Sequence, residues 1–171
     1  MENFGSKVDQ KVAQSEPVEQ FLTFQLVGQR YGVEILRVQE IKGWEKPTRL
    51  PHSPEYIQGV INLRGAVVPI LDLRRRFGLG EAEYGRTTVV IVVKIDTERG
   101  ELTAGMVVDG VCEVCNIRAQ DLRAPPEMAA AIDTDFVRGL AMVDDKMLIL
   151  LDVARLISST LADSATGSKA A

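Results

Sequence analysis

Two stretches of this chain align without a gap. QGVINLRGAVVPILDLRRRF, from Gln58 to Phe77, lies on RGLAMVDDKMLILLDVARLI, from Arg138 to Ile157. Gly59 meets Gly139, Leu71-Asp72 meets Leu151-Asp152, and each apolar position from Val67 to Leu71 meets an apolar one. A second pair precedes it. YGVEILRVQEI, from Tyr31, matches AGMVVDGVCEV, from Ala104, so that Gly32 meets Gly105, Val38 meets Val111 and Glu40 meets Glu113. The period is too long for a solenoid. Two diverged copies of one β-rich unit fit it, packed as a pair of small subdomains. The point of greatest difference is the turn, Arg64-Gly65 in one copy and Asp144-Asp145 in the other. A fold needs only a turn at both places, which gives Arg64 a second possible role as a positioned charge on a binding surface.

Local chemistry says how each copy is built. Val60 to Leu63 and Ala66 to Leu71 are apolar runs around a Gly-containing turn, the pattern of a hairpin. Gly65 can take the positive φ that such turns need. Pro69 lacks a ladder donor and is expected on an edge strand or at a break. Asp72 reads as an N-cap, with Leu73 and Phe77 on one helix face and Arg74, Arg75 and Arg76 turned outward. Leu22, Phe24 and Leu26 alternate, as do Tyr31, Val33 and Ile35, and together they make a first hairpin turning at Gly28-Gln29. Ser53-Pro54-Glu55 carries helix-start residues, so a helical turn is expected as far as Gln58. TTVVIVVKI, Thr87 to Ile95, is apolar on both faces and belongs at the seam between subdomains. Asp152 caps a last helix with Val153, Leu156, Ile157 and Leu161 on its stripe.

Composition narrows the function. At 171 residues with 46% apolar content, the chain can bury a substantial core. A net charge of −4 argues against a nucleic-acid surface. No run reaches the roughly 18 apolar residues of a membrane span, and the N-terminus has no signal-peptide core. No phosphate loop, dinucleotide fingerprint or nucleophile elbow is found. The single histidine, His52, has no carboxylate placed to orient it. Asp72 and Asp152 are repeat-related caps rather than a catalytic pair, and Asp144-Asp145 reads as a turn rather than a cation site. Cys112 and Cys115 form C-x-x-C within a strand pattern. Their spacing points the thiols to opposite faces, so reduced structural cysteines without metal or disulfide are expected.

These residues resemble a family. YGVEILRVQEI, TRLPHSPEYIQGVINLRGAVVPILDLRRRFG and GMVVDGVCEVCNI are similar to the CheW family, the coupling proteins of bacterial chemotaxis. The resemblance spans roughly Gln20 to Leu161. It implies a mainly β fold of two five-stranded Src-homology-3-like barrels sharing a hydrophobic core. The subdomains would be near 20–86 and 87–161, with exchange of chain between them possible. Residues 1–19 would form a disordered N-terminal tail, and 162–171 a C-terminal tail. The resemblance further implies a non-enzymatic adaptor without cofactor or metal. It would join the regulatory domain of the histidine kinase CheA to the cytoplasmic tips of methyl-accepting chemoreceptors. It would be a cytoplasmic monomer recruited to receptor arrays, with no nucleic-acid or direct membrane contact. Carried over residue by residue, the receptor groove takes Val38, Glu40, Ile41, Arg64, Val89, Gly105 and Val111, and Met128 becomes a kinase-contact candidate. The alternative within the same group is the regulatory domain of a kinase or of a fused coupling protein. A β-barrel enzyme or nucleic-acid binder would be a different class, which an oligonucleotide-binding screen at low salt would reveal.

Overall fold

The computed structural model describes residues 17–80, 83–125 and 134–170. Ten strands form two five-stranded sheets. The first holds β1 (Val18–Leu26), β2 (Gln29–Glu34), β8 (Gly110–Arg118), β9 (Val137–Val143) and β10 (Lys146–Leu151), in the order β8-β1-β2-β10-β9. The second holds β3 (Val38–Gly43), β4 (Ile57–Leu63), β5 (Ala66–Asp72), β6 (Val89–Thr97) and β7 (Gly100–Val108), in the order β3-β6-β7-β5-β4. Adding five to each strand number turns one order into the other. The repeat is therefore present in the topology, but the copies are interleaved. Each sheet takes the first two strands of one copy and the last three of the other. The segments before and after residue 86 each contribute strands to both sheets. The chain crosses between sheets at the 3-10 turn Ile35–Arg37 and again at Asp109.

Three apolar clusters follow from this arrangement. Phe21, Cys115, Ile117, Ala141, Leu148 and Leu150 fill the first barrel, and Val68, Ile70, Val90, Val92 and Val107 fill the second. The largest cluster lies between the barrels and includes Phe24, Tyr31, Val33, Leu71, Leu73, Ile91, Val93, Met106 and Leu156. Strand β6 serves two cores, because Val90 and Val92 face the second barrel while Ile91, Val93 and Ile95 face the shared cluster. Burying one such side chain contributes about 1.5–3 kcal/mol. Most of that burial lies between the barrels, so neither is expected to stand alone.

Several local expectations change. Strand β5 is internal, between β4 and β7, and Pro69 is accommodated just before the parallel pairing that starts at Ile70 opposite Gly105. Residues 53–58 form no helix. The Ile57 amide donates to the Pro54 carbonyl at 3.0 Å, closing a turn, and Ile57 enters β4. The first hairpin turns at Val27-Gly28, and Gln29 is already in β2. Strand β1 begins at Val18, inside the stretch read as tail, because Glu19 pairs with Arg138 at 2.6 Å. Helix α1 (Leu73–Arg76) is short, as expected, but Arg74–Arg76 are half-buried rather than solvated. Helix α2 (Val153–Ala170) runs through the region read as C-terminal tail.

Candidate interaction groove

Strand β3 supplies three of the seven expected groove residues, and one bulge decides where they point. Its register against β6 shifts between Val38 and Glu40. Val38 lies opposite Val93, and Ile41 opposite Ile91, so both share the face of the inter-barrel core. Glu40 lies opposite Val92, which belongs to the core of the second barrel, and so turns to the other face. Val89, opposite Gly43, and Val111, opposite Phe24 in the first sheet, also pack against the inter-barrel core. Val38, Val89 and Val111 are half-buried there, whereas Ile41 is 45% exposed. These four line the seam between barrels.

Arg64 and Glu40 come together from separate strands. Asn62 accepts a hydrogen bond from the Gly65 amide at 2.8 Å, and Arg64 and Gly65 both take positive φ, 52° and 88°. That tight turn projects Arg64 back across the sheet, where its Nη2 donates to Glu40 Oε2 at 2.6 Å. The Arg64 side chain is 79% exposed. Its partner Glu40 is within the chain. Beside the pair an open cleft of about 690 Å³ is lined by Leu36, Arg37, Val38, Arg64, Lys94 and Glu101, among others.

Gly105 does not reach this surface. It is buried in β7, and a Cβ there would lie 2.7 Å from both Ile70 Cδ1 and Val90 Cγ1. Its repeat partner Gly32 is pressed in the same way against Leu150, 2.9 Å from an added Cβ. Gly105 therefore belongs to the packing of the second barrel and can influence a partner only through that packing. Met128 lies outside the described residues.

Other polar groups had no sequence signal. Arg76 lies over the rings of Tyr56 and Phe136, 4.9 and 4.7 Å from their centroids, and its Nε donates to Thr160 Oγ1 at 3.1 Å. It ties α1 to α2. Trp44 stacks on Tyr84 with centroids 4.1 Å apart, and the Tyr84 hydroxyl donates to Asp72 at 2.8 Å. Burial first, and then the bond to Asp72, pushes that phenol's pKa up. Arg74 forms a two-point contact with Asp109. Each of these contacts joins residues far apart in sequence, so no local spacing could announce it.

Chemistry of other kinds finds little support. His52 is exposed at a positive-φ turn position, and Cys112 and Cys115 are free thiols, the second buried. Burial is the main cause that pushes the Cys115 thiol's pKa up, which disfavours the reactive thiolate. Among the described residues no group of three or more His, Cys, Asp or Glu side chains could hold a metal, and no helix is long and apolar enough to cross a membrane.

Comparison with known proteins agrees on one family. The CheW-like domain pattern matches residues 20–161. The chemotaxis protein CheW of Klebsiella aerogenes is 42% identical over 149 residues, covering 87% of each chain. The chemotaxis protein CheW of Bacillus subtilis is 30% identical, covering 89% of this chain and 95% of its own. The crystal structure of the scaffolding protein TtCheW from Thermoanaerobacter tengcongensis superposes with a TM-score of 0.73 at 35% identity, over 84% of this chain and 90% of that one. With the paired five-stranded sheets, their shared core and the N-L-R-G hairpin all in place, the chain belongs to the CheW family of chemotaxis scaffold proteins.

Proposed function

We propose that this protein couples chemoreceptors to the histidine kinase CheA and has no catalytic activity of its own. The receptor's helical tip lies along the seam against Val38, Ile41, Val89 and Val111, with Arg64 and Glu40 at its margin. Gly105 supports this surface from within. The kinase's regulatory domain meets a separate barrel surface, for which Met128 remains the candidate residue. The protein works in the cytoplasm at the receptor arrays, without touching lipid. The observation that carries this reading is the apolar strip at the seam beside an exposed charged pair, in a chain whose relatives are named as chemotaxis and scaffolding proteins. An apolar groove with a charged margin suits helix-in-groove recognition. The reading as a kinase's regulatory domain is not favoured, since the relatives named CheW match over most of their own length.

The test is co-sedimentation with receptor-containing membranes, with and without the kinase, for wild type and Arg64 variants. An exposed ion pair contributes about 0–1 kcal/mol to folding, whereas a charge engaged in an interface typically costs about 2–5 kcal/mol when its partner is removed. Arg64→Ala therefore weakens receptor binding far more than it lowers the urea midpoint, and spares kinase binding. Arg64→Lys recovers only part of the loss, because an ammonium lacks the planar fork. If Arg64→Ala unfolds the protein, the residue is structural. If it lowers kinase affinity and spares the receptor, the groove is misplaced.

A further inference from the structure

The two crossovers between sheets are equivalent in the repeat but are tied differently: at the first, Glu34 pairs with Arg37 and with Arg138 of its own sheet, whereas at the second a carboxylate reaches both sheets. At the second, the Asp109 amide donates to the Gln25 carbonyl at 3.0 Å. The Asp109 carboxylate then gathers three donors. The Val27 amide reaches Oδ2 at 2.8 Å, Arg74 Nε reaches Oδ1 at 2.7 Å, and Arg74 Nη2 reaches Oδ2 at 2.5 Å. Val27 is at the tip of the β1–β2 hairpin in the first sheet, and Arg74 is on α1, which follows β5 of the second. One carboxylate thus joins both sheets at the point where the chain passes between them. The pair is about four-fifths buried at Arg74 and three-quarters at Asp109, with side-chain exposures of 19% and 25%. Such a two-point contact is directional and is screened less than a surface pair. The hydrogen bond that Arg74 donates to Asp109 is the first cause holding the guanidinium pKa above its ordinary value.

At the first crossover the same two positions carry Leu36 in place of Asp109 and Ala154 in place of Arg74. Neither forms an ion pair. Leu36 is 93% exposed, at the edge of the open cleft that Val38 and Arg64 also line. The barrels are therefore fastened by a charged clamp at the second crossover, and the equivalent two positions at the first are uncharged.

We propose that Arg74 and Asp109 are positioning residues for the seam groove: their clamp fixes the angle between the barrels, and so holds Val111 of the first sheet at the distance from Val38, Ile41 and Val89 of the second that the helical partner requires. This rests on the receptor-groove reading above, but its first consequence can be measured without any receptor. Paired spin labels at Val67→Cys and Met147→Cys, repeat-equivalent exposed positions on the second and first sheets, report the inter-barrel distance in a Cys112→Ser, Cys115→Ala background. Arg74→Ala and Asp109→Asn are expected to broaden that distance distribution while the protein stays folded by near-ultraviolet circular dichroism. Asp109→Asn keeps an acceptor for the Val27 amide and removes the charge, and Arg74→Lys narrows the distribution part of the way back. In co-sedimentation with chemoreceptor-bearing membranes, both clamp variants lose at least tenfold in affinity, although neither residue is placed in the groove.

An unchanged distance distribution in the folded Asp109→Asn and Arg74→Ala proteins overturns the clamp. A broadened distribution with undiminished receptor affinity, where Arg64→Ala does weaken binding, overturns the positioning role and leaves the groove standing. If wild type itself fails to bind receptor membranes, the groove reading falls, the positioning role falls with it, and the distance measurement still decides whether the clamp sets the angle.

Discussion

The β4–β5 and β9–β10 hairpins hold equivalent places in the two barrels and carry opposite charges at their tips. Each runs antiparallel and joins a third strand in parallel, at Ile70 opposite Gly105 and at Leu150 opposite Gly32. Each has a neighbouring segment bridged to its outer strand, Thr48 to Val60 in one and Arg123 to Leu140 in the other. Each tip has two residues at positive φ. The charges at the tips differ. Arg64 reaches Glu40, whereas the equivalent Glu113 faces a copy whose tip is Asp144-Asp145 and lies 4.0 Å from Arg30 instead. One scaffold tolerates either sign at the tip, because a tight turn constrains backbone conformation and leaves exposed side chains free.

The outer-strand glycines offer the largest test of how equivalent the hairpins are. Gly59 has φ of +139°, and an added Cβ would lie 2.2 Å from the Thr48 carbonyl oxygen. At Gly139 the nearest atom is the Arg123 carbonyl oxygen at 3.3 Å, with no positive φ to strain a side chain. Gly59→Ala is expected to cost on the order of 3–5 kcal/mol, a backbone collision added to a disfavoured conformation, and Gly139→Ala about 1 kcal/mol. Urea melts of the two variants measure the difference. Equal costs would show that the two barrels relax alike and that the first copy is not the tighter one.

The caps come next in size. Asp72 is 1% exposed, accepts from the Arg74 amide at 3.0 Å and receives the Tyr84 hydroxyl. Asp152 is more open and accepts from the Arg155 amide at 3.1 Å. Removing the first leaves buried donors without an acceptor, so Asp72→Ala should cost about 2–3 kcal/mol against about 1 kcal/mol for Asp152→Ala. Thermal denaturation of both variants checks this order.

The smallest effect is an alkaline one. Tyr84 ionises at higher pH in the folded protein than in the unfolded chain, because burial and the bond to Asp72 favour its neutral form. Its contribution is fully present below about pH 10, where the unfolded phenol holds its proton, and is lost as pH rises through the folded value. Tyr31 adds to the same loss, pushed up to about 12 by burial alone. Tyr84→Phe should therefore flatten the decline of stability above pH 10 only in part. A decline identical to that of wild type would mean that the phenol is solvated in the folded state.

Much of this was legible in the chain itself. The hairpins, the two capping aspartates, the doubly buried strand β6 and the duplication all leave periodic or positional marks, since side-chain direction alternates along strands and caps need particular residues. The repeat alignment marked the Arg64 tip as different from its counterpart, and the doubly apolar run TTVVIVVKI was readable as the strand at the seam. Arg74 and Arg76 were misplaced because a short helix preceded by an N-cap says which face is apolar but not what will cover the other. Pro69 looked like an edge residue because the strand that pairs with β5 in parallel comes from the other copy. The helix expected at 53–58 lost to a turn followed directly by β4.

The sequence by itself determined that there are two copies of one β unit, where each turns and caps, and which residues are apolar enough to bury. Tertiary structure alone decided that the copies are interleaved, that Asp109 joins both sheets at one crossover, and that Arg64 finds Glu40. The physical reason is range. Turn chemistry, capping and alternation act over a few residues. Strand exchange and ion pairing between distant segments depend on which surfaces meet once the shared core has closed.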